Sequence, residues 1–501
     1  MLQHHLFKYA ALINVLLVAI VSGAPLMIRD ALKPSADPFY VPDAGFENAK
    51  PGDILKSRVL PPNSLAAFSA FSQNINGVYQ YLYRSTDALG NPAATVTTLM
   101  VPKNADPSKL GKDACFLIDS QCQLYSQLSS SIGIVSYQTA EDSPTSDCAP
   151  SYSLQKGTSL AGVLPQAEIL LMDTLLARGW YVNTPDYEGP KSYFTVGANS
   201  GQGVLDSIRA VLSTGNQTQI RANAQVQLWG YSGGALASGW ATQLQPSYAP
   251  DLTIIGAALG GTPVDLNATL NAANKSPFCG LIPAGIHGLS AQYPELASYL
   301  DKTLLPEKKQ AFNDAANYCL APLILKFAFQ DIQSYVNRPD FLNDPIPTKI
   351  LKDNTMGKLG TPKIPLFMYH ASHDEVVRTH PILFNESVSI LTFFLPFAPQ
   401  VPYAPAQAMY KNWCSSAGSD TSIQFVRDEL SEHAILAITG AANAINFLID
   451  GFNNKARKPG CSMRTTLTSA LDPGALGIFG KLIWDDLNAL LGKPIGPNNI
   501  F

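Results

Sequence analysis

The chain has 501 residues, of which 46% are hydrophobic, and its formal net charge is −4. This length and composition allow a large buried core, in two or three domains or in one α/β enzyme with insertions. The slightly acidic balance, without a basic stripe, argues against a nucleic-acid-binding protein.

The N-terminal segment has the pattern of a secretory signal peptide. Lys8 precedes an apolar run at residues 9–21, and small residues follow up to Ala24, where we expect cleavage. The apolar run is short for a membrane span, and no later run reaches roughly 18 unbroken apolar residues, so we expect no stable span. We therefore predict a secreted, extracellular protein. Four sequons mark candidate glycosylation sites at Asn216, Asn267, Asn274 and Asn385.

Strand-like and helix-like runs alternate along most of the chain. Residues 25–65 are proline-rich, and we expect them to wrap the surface. Beyond them the patterns predict strands at 78–83, 94–101, 134–138, 180–186, 225–229, 252–259, 364–370 and 422–426, and helices at 160–176, 203–212, 235–244 and 434–447. This alternation predicts an α/β fold in which helices cover both faces of a mostly parallel sheet.

Residues 265–345 interrupt this alternation and are largely helical. A long insert after the strand that carries a nucleophile is typical of a cap over an active site. We therefore predict a signal peptide (1–24), a first part of the core (25–264), a helical cap (265–345), a second part of the core (346–450) and a C-terminal tail (451–501).

The stretch GYSGG fits the G-x-S-x-G pattern of a catalytic serine, here Ser232. It lies between a predicted strand and a predicted helix, and such a sharp turn needs glycine on both sides of the serine. The turn lifts the Ser232 hydroxyl out of the backbone and points the N–H of Gly233 to where an oxyanion forms. The alternative is a glycine-rich turn with an incidental serine.

A serine nucleophile needs a base and an acid that orients the base, which follow it in that order in α/β-hydrolase folds. His433, the last histidine, lies in a polar loop before a predicted helix and is the predicted base, unless it is a surface histidine at a helix start. Asp374 follows a predicted strand and is the predicted acid, with Glu375 and then Asp428 as alternatives. We expect His287, in the predicted cap, to be structural.

A second oxyanion donor is expected in a loop that follows an early strand. The residues alone leave three candidates for it, which are Glu141, Asp142 and Ser143. His370 and His373 lie close to Asp374 in the sequence, but a catalytic zinc site of this type needs a third protein ligand. We therefore expect neither a metal nor an organic cofactor.

Several motifs together resemble the fungal secretory lipases, the family of Candida antarctica lipase A. They are GYSGG, HDEVV, SEH, EDSPTSDCAPSY, ILKSR, PDYEG, PSYAP and GGTPV. The resemblance extends from Asp37 to Cys461. It implies an α/β-hydrolase core, a helical cap, a C-terminal flap within residues 451–501, and hydrolysis of acylglycerols.

The resemblance also implies roles for single residues. It makes Ser232 the nucleophile, Asp374 the acid and His433 the base, and it places Gly233 and Asp142 in the oxyanion hole. Of the seven cysteines, it pairs Cys148 with Cys319 and Cys414 with Cys461 and leaves Cys279 unpaired. We thus expect a secreted, monomeric serine lipase or esterase that meets its ester substrate at a lipid interface. A serine peptidase and a non-catalytic binding protein on the same fold are the alternatives.

Two segments, 111–134 and 377–400, depart from the pattern of that family, and each is 24 residues long. Removing either one joins its flanks into a family-like sequence, and both ends of both segments permit splice-site dinucleotides. We hypothesise that they are introns translated in frame; the alternative is two ordinary loop insertions. The first segment contains Cys115 and Cys122, which fits their absence from the implied disulfide pairs.

Overall fold

The structure is a computed structural model that describes residues 31–68, 70–104, 133–158, 162–338, 340–372 and 401–496. Several residues named above lie outside these ranges. They are Asp374 and Glu375, His373, Asn385, Cys115 and Cys122, together with the signal segment and most of the two 24-residue segments. Predictions for them stay predictions.

One ten-stranded sheet runs through the described part of the chain. Together with a small hairpin, its strands are β1 (Ile54–Leu60), β2 (Ala66–Ala67), β3 (Ala70–Phe71), β4 (Ile75–Thr86), β5 (Pro92–Pro102), β6 (Ile134–Gln138), β7 (Tyr181–Pro185), β8 (Val226–Tyr231), β9 (Ile254–Gly260), β10 (Leu366–Ala371), β11 (Ser422–Asp428) and β12 (Gly460–Thr466). Their order is β1-β4-β5-β7-β6-β8-β9-β10-β11-β12, with β2 and β3 forming the hairpin. Pairing is antiparallel from β1 to β7 and parallel from β7 to β12. The predicted mostly parallel sheet is confirmed.

Helices cover both faces of this sheet. The described helices are α1 (Pro150–Ser153), α2 (Val163–Leu176), α3 (Gly197–Leu212), α4 (Gly215–Thr218), α5 (Gly233–Tyr248), α6 (Leu266–Ala273), α7 (Leu281–Gln292), α8 (Pro294–Thr303), α9 (Pro306–Asp314), α10 (Leu320–Phe327), α11 (Pro345–Asp353), α12 (Tyr403–Ser416), α13 (His433–Thr439), α14 (Ala441–Phe452) and α15 (Ala475–Leu490). Successive residues of a strand face opposite sides, so Leu228 packs in one core with α3 and α5. Trp229 packs in the other core with α2, α13, α14 and α15.

Helices α6 to α10 lie within residues 265–345, where the cap is predicted, and α11 follows them before strand β10. Their apolar side chains, among them Leu289 and Leu323, belong to the same core as α5, so they cover that face of the sheet. A disulfide between Cys148 and Cys319 joins the loop after β6 to the residue before α10. This bridge attaches the predicted cap covalently beside the loop that contains Asp142.

Two of the regions discussed above differ from the sequence-based expectation. Part of the proline-rich segment forms the edge strand β1, which pairs antiparallel with β4. The predicted helix at 434–447 is two helices, α13 and α14, which meet at an angle of 41°. Gly440 lies at this break, where an added Cβ would be 2.5 Å from the Tyr369 ring. No single helix in the described ranges has the length and apolar composition to cross a membrane, although α13 and α14 together meet that test.

Candidate active site

Ser232 lies on a sharp turn between strand β8 and helix α5. Its backbone has φ +53° and ψ −120°, a strained conformation for a residue with a side chain. Its N–H donates to the Gly260 carbonyl at 2.9 Å, which fixes the turn against β9. A Cβ added to Gly230 would lie 2.2 Å from the carbonyl oxygen of Gly234, and a Cβ added to Gly234 would lie 1.9 Å from the carbonyl oxygen of Gln138. Both positions therefore require glycine. The turn presents the Ser232 hydroxyl at the N-terminus of α5.

His433 begins helix α13, directly after the loop that follows strand β11. Its Nε2 lies 2.9 Å from the Oγ of Ser232, which is hydrogen-bond distance. The Tyr231 hydroxyl, next to the serine, donates to the His433 carbonyl. The structure thus brings together the predicted nucleophile and the predicted base from positions 201 residues apart.

The loop before His433 is held by Asp428, one of the alternative acids. Its carboxylate accepts hydrogen bonds from the N–H groups of Leu430 and Ser431 on one oxygen and of Ser469 on the other. These bonds direct both oxygens to the backbone, which disfavours Asp428 as the acid of a triad. The favoured acid, Asp374, lies outside the described residues, two positions after Ser372, whose N–H donates to the Asp428 carbonyl.

Among the three oxyanion candidates, Asp142 is the one that lines a cavity with Ser232 and Gly233. It follows strand β6 in a left-handed conformation with φ +47°. A Cβ added to Gly233 would lie 1.8 Å from its Oδ1, so the carboxyl packs directly on the start of α5. Ser143 instead donates its hydroxyl to a cap carbonyl. Burial raises the pKa of Asp142 to about 7.

Further buried carboxyl groups surround the loop of Asp142. Burial, and then the nearby Asp186, raises the pKa of Glu141 well above its ordinary value. Burial, and then the nearby Glu141, does the same for the pKa of Glu188. Burial also raises the pKa of Asp186 to about 7. Glu188 and Asp186 both belong to the PDYEG motif, but no pattern in the sequence predicted a role for either.

Two apolar cavities meet at Ser232. The cap cavity has a volume of about 100 Å³ and contains Ser232, Gly233 and Asp142 in its wall. Its other walls include Leu266, Leu270, Ile286, Leu300, Phe341 and Ile350. The α13 cavity has a volume of about 330 Å³ and contains Ser232, Asp142 and His433 in its wall. Its other walls include Leu164, Leu171, Phe278, Ala437, Ile438 and Leu482. Such apolar walls suit hydrocarbon chains.

The remaining predicted sites occupy ordinary structural positions. Nε2 of His287 lies 2.9 Å from the Phe312 carbonyl, and burial lowers its pKa, so it packs within the cap. The described ranges contain no group of three or more His, Cys, Asp or Glu side chains that could hold a metal ion. Cys414 is bonded to Cys461, and the thiol of Cys279 is buried.

The three described sequons differ in exposure. Asn216 and Asn267 are exposed to solvent. The amide nitrogen of Asn274 instead donates to Asp331 at 2.8 Å, and its oxygen accepts the N–H of Ile332. The folded structure therefore offers the first two side chains to a glycan more readily than the third.

Comparisons with known proteins agree with one another over most of the chain. A family model described as "Secretory lipase" matches residues 154–386 and 396–460. "Lipase 5" of Candida albicans is 40% identical over 475 residues, which cover 93% of this chain and 91% of that protein. "Lipase A" of Arthroderma benhamiae is 35% identical over 480 residues, which cover 94% of this chain and 91% of that protein.

Solved structures give the same result. The closed state of Candida antarctica lipase A aligns with a TM-score of 0.74 and 28% identity, over 94% of this chain and 99% of that chain. The rice cell wall degrading esterase LipA from Xanthomonas oryzae shares the fold. It aligns with a TM-score of 0.57 and 14% identity, over 80% of this chain and 99% of that chain. Family match, sequence relatives and architecture confirm the resemblance and the predicted enzyme class. The chain belongs to the secretory lipase family and is a lipase or esterase of the α/β-hydrolase fold.

Proposed function

We propose that this lipase hydrolyses acylglycerol esters through a Ser232–His433–Asp374 triad and a covalent acyl-enzyme. The observation that carries the proposal is the 2.9 Å contact between Ser232 Oγ and His433 Nε2 at the junction of two apolar cavities. A serine hydroxyl becomes nucleophilic when a neighbouring imidazole accepts its proton. Apolar walls around that pair favour a lipid ester over a polar substrate.

The reaction proceeds in two halves. His433 Nε2 takes the proton of Ser232 Oγ while the oxygen attacks the ester carbonyl carbon, and the N–H groups of Gly233 and Asp142 stabilise the resulting oxyanion. The tetrahedral intermediate collapses, the C–O bond to the alcohol breaks, and His433 gives its proton to the leaving oxygen. Water then attacks the acyl-enzyme by the same route and releases the fatty acid. Asp374 holds the imidazole tautomer and stabilises its charge.

The setting of the reaction follows from the same features. The N-terminal segment directs the chain to the secretory route, and the two disulfides fit the oxidising conditions outside the cell. The enzyme acts there as a monomer on lipid aggregates. The acyl chain of the substrate lies in the cap cavity, next to the oxyanion donors.

The test uses the secreted, folded protein and its variants Ser232→Ala and His433→Ala. We expect each variant to lose roughly 10³-fold or more of the kcat for tributyrin, since removal of either member of a triad has effects of that size. A fluorophosphonate probe should label the wild type and not Ser232→Ala. The control Ser247→Ala, on the exposed side of α5, should keep full activity.

Undiminished tributyrin hydrolysis by folded His433→Ala would contradict the proposal. Cleavage of peptide anilides without hydrolysis of tributyrin would instead indicate a serine peptidase on the same fold. Neither labelling by the probe nor hydrolysis of either substrate would indicate a binding protein.

A further inference from the structure

The C-terminal helix α15 presents apolar side chains to solvent. Leu476, Trp484 and Leu487 of this helix, and Leu491 directly after it, are between 41% and 68% exposed. Their spacings of eight, three and four residues place them on one side of the helix, because side chains three or four positions apart share a face. These four side chains are called the outer face of α15 below.

The charged residues of α15 point the other way, into the protein. The side chain of Lys481 is 9% exposed, that of Asp485 is fully buried, and Asp486 is buried as well. Nζ of Lys481 lies 3.1 Å from the carboxylate of Asp173 in α2 and 2.6 Å from that of Asp485. An ordinary surface helix has the opposite arrangement, with its charges towards water. The outer face of α15 therefore fits an apolar environment better than water.

Helix α15 is held in this orientation at two points. The Asp173 carboxylate that binds Lys481 also accepts hydrogen bonds from the side chains of Ser72 and Asn74. Beyond the helix, Ile495 donates its N–H at 3.1 Å and accepts another at 2.7 Å from the backbone on either side of Ser72. Rotation of the helix would break the buried ion pair and leave a charge unpaired, which is costly. The outer face therefore stays at the surface.

The inner side of the same helix reaches the candidate active site. Leu482 and Asp486 line the α13 cavity, and Ser232 lies in the wall of that cavity. A lipid surface in contact with the outer face would thus lie about 10 Å, the diameter of one helix, from the wall of this cavity.

We propose that the outer face of α15 is the surface by which this protein docks on an aggregate of uncharged lipid. This inference rests on the proposed action on lipid aggregates and adds the surface that contacts them.

The area and chemistry of the outer face favour lipid over a second copy of the chain. Four partly exposed side chains offer on the order of a few hundred Å², below the roughly 800 Å² that each partner contributes to a stable protein complex. A leucine-rich helix face with a tryptophan suits insertion at a lipid surface, where the indole lies between hydrocarbon and water. Because the charged residues of α15 face inward, docking gains nothing from charged headgroups.

The test measures flotation of the protein with triolein droplets coated with phosphatidylcholine, in a Ser232→Ala background that keeps the lipid intact. Leu476→Asp should lower the partition coefficient by about tenfold, since an apolar contact is lost and a charge is added. An acidic residue in the first turn favours a helix, so we expect this variant to keep the circular dichroism and Tm of its parent.

Leu359→Asp is the matched control for this substitution. Leu359 is 59% exposed and precedes strand β10, whereas Ser232 follows strand β8. Because β8, β9 and β10 are parallel, Leu359 lies at the opposite edge of the sheet from Ser232. The partition coefficient of Leu359→Asp should stay within about twofold of its parent, since this edge makes no contact with the lipid.

Two further measurements examine the contact itself. Trp484 is one of five tryptophans, and its entry into lipid should shift the emission of the protein to shorter wavelength. Trp484→Phe keeps an aromatic side chain, so it should still bind the droplets but lose most of this shift. Binding should change less than about twofold between roughly 0.02 and 0.5 M NaCl, because salt screens only charged contacts.

The outcomes separate this inference from the proposed function. Equal flotation of Leu476→Asp and its parent, an unchanged emission shift in Trp484→Phe, or binding that falls steeply with salt would each overturn it. A protein that is a dimer without lipid and a monomer as Leu476→Asp would show that a second copy covers the outer face, which also overturns it. A wild type that floats as expected but hydrolyses no dissolved ester would support the docking surface and contradict the proposed function.

Discussion

The carboxyl group of Asp142 lies beside the proposed oxyanion hole. It is buried and packs on the start of α5 beside Gly233. Since burial raises its pKa to about 7, the group is neutral in acid and becomes an anion in alkaline solution. An anion next to the forming oxyanion opposes the transition state, whereas a neutral carboxyl does not.

The activity of the wild type should therefore decline as the pH rises through about 7. Asp142→Asn keeps the size of the side chain and its backbone N–H but removes the charge, so its kcat/KM should stay high to more alkaline pH. Profiles from pH 5 to 9 with a water-soluble ester would measure this difference. Asp251→Asn, exposed and distant from Ser232, is the control and should follow the wild type. An alkaline decline that is identical in Asp142→Asn would contradict the role given to this charge.

Site residues marked by a local sequence pattern could be predicted, whereas those defined by contacts between distant parts of the chain could not. The sequence predicted Ser232 and His433 from local patterns, a glycine-flanked turn and a polar loop before a helix, and the structure places them in contact. It left Asp142 among three neighbours until the family resemblance separated them. It predicted no role for Glu188. The carboxyl group of Glu188 is buried because the loops after β6 and β7 pack together, and a local sequence pattern does not show contacts between separate loops.

Among the secondary-structure elements, buried strands were the easiest to predict. Strands β6 and β8 are entirely buried, and their aliphatic and aromatic residues mark them as strands in the sequence. Strand β12 has a mostly exposed surface and no such run, and it was missed. The break between α13 and α14 was also missed, because it depends on the contact of Gly440 with Tyr369, a residue in a distant strand.

The edge strand β12 depends on a covalent attachment. Among the described strands it pairs with β11 alone, and Cys461 within it is bonded to Cys414 of α12. The double variant Cys414→Ser/Cys461→Ser should destabilise the protein by about 2–5 kcal/mol, since the bridge restricts the unfolded chain. In this double variant we also expect faster amide hydrogen exchange in β12 than in the other strands.

Hydrogen exchange with mass spectrometry would compare this variant with Cys148→Ser/Cys319→Ser, which removes the other bridge. Loss of the second bridge should leave exchange in β12 unchanged, because that bridge joins the cap to the loop after β6. Equal exchange in β12 for both variants and the wild type would show that strand pairing alone holds this edge.

Four buried carboxyl groups in the described ranges share a raised pKa. Burial raises the pKa of Asp142, Glu168, Asp186 and Asp486 to about 7 in each case. In the unfolded chain such groups titrate near pH 4. Between these values the folded state binds more protons than the unfolded state, so the free energy of unfolding falls as the pH rises from about 4 through about 7.

The melting temperature should accordingly be lower at pH 8 than at pH 5, by at least about 3 °C, as judged by the usual relation between stability and Tm. Differential scanning calorimetry at constant ionic strength would measure it. Glu168→Gln/Asp486→Asn removes two of the groups and should flatten the dependence, whereas exposed Asp420→Asn should not. A Tm that rises between pH 5 and pH 8 would refute the assigned protonation states.

The bridge between Cys148 and Cys319 limits how the protein can admit a lipid. It fixes the start of α10 to the core a short distance along the chain from Asp142. A covalent bridge holds these two segments together, so we expect any movement of the predicted cap to open the molecule on the side away from the sulfur atoms. We likewise expect the wall beside Asp142 to keep its shape when a fatty chain enters.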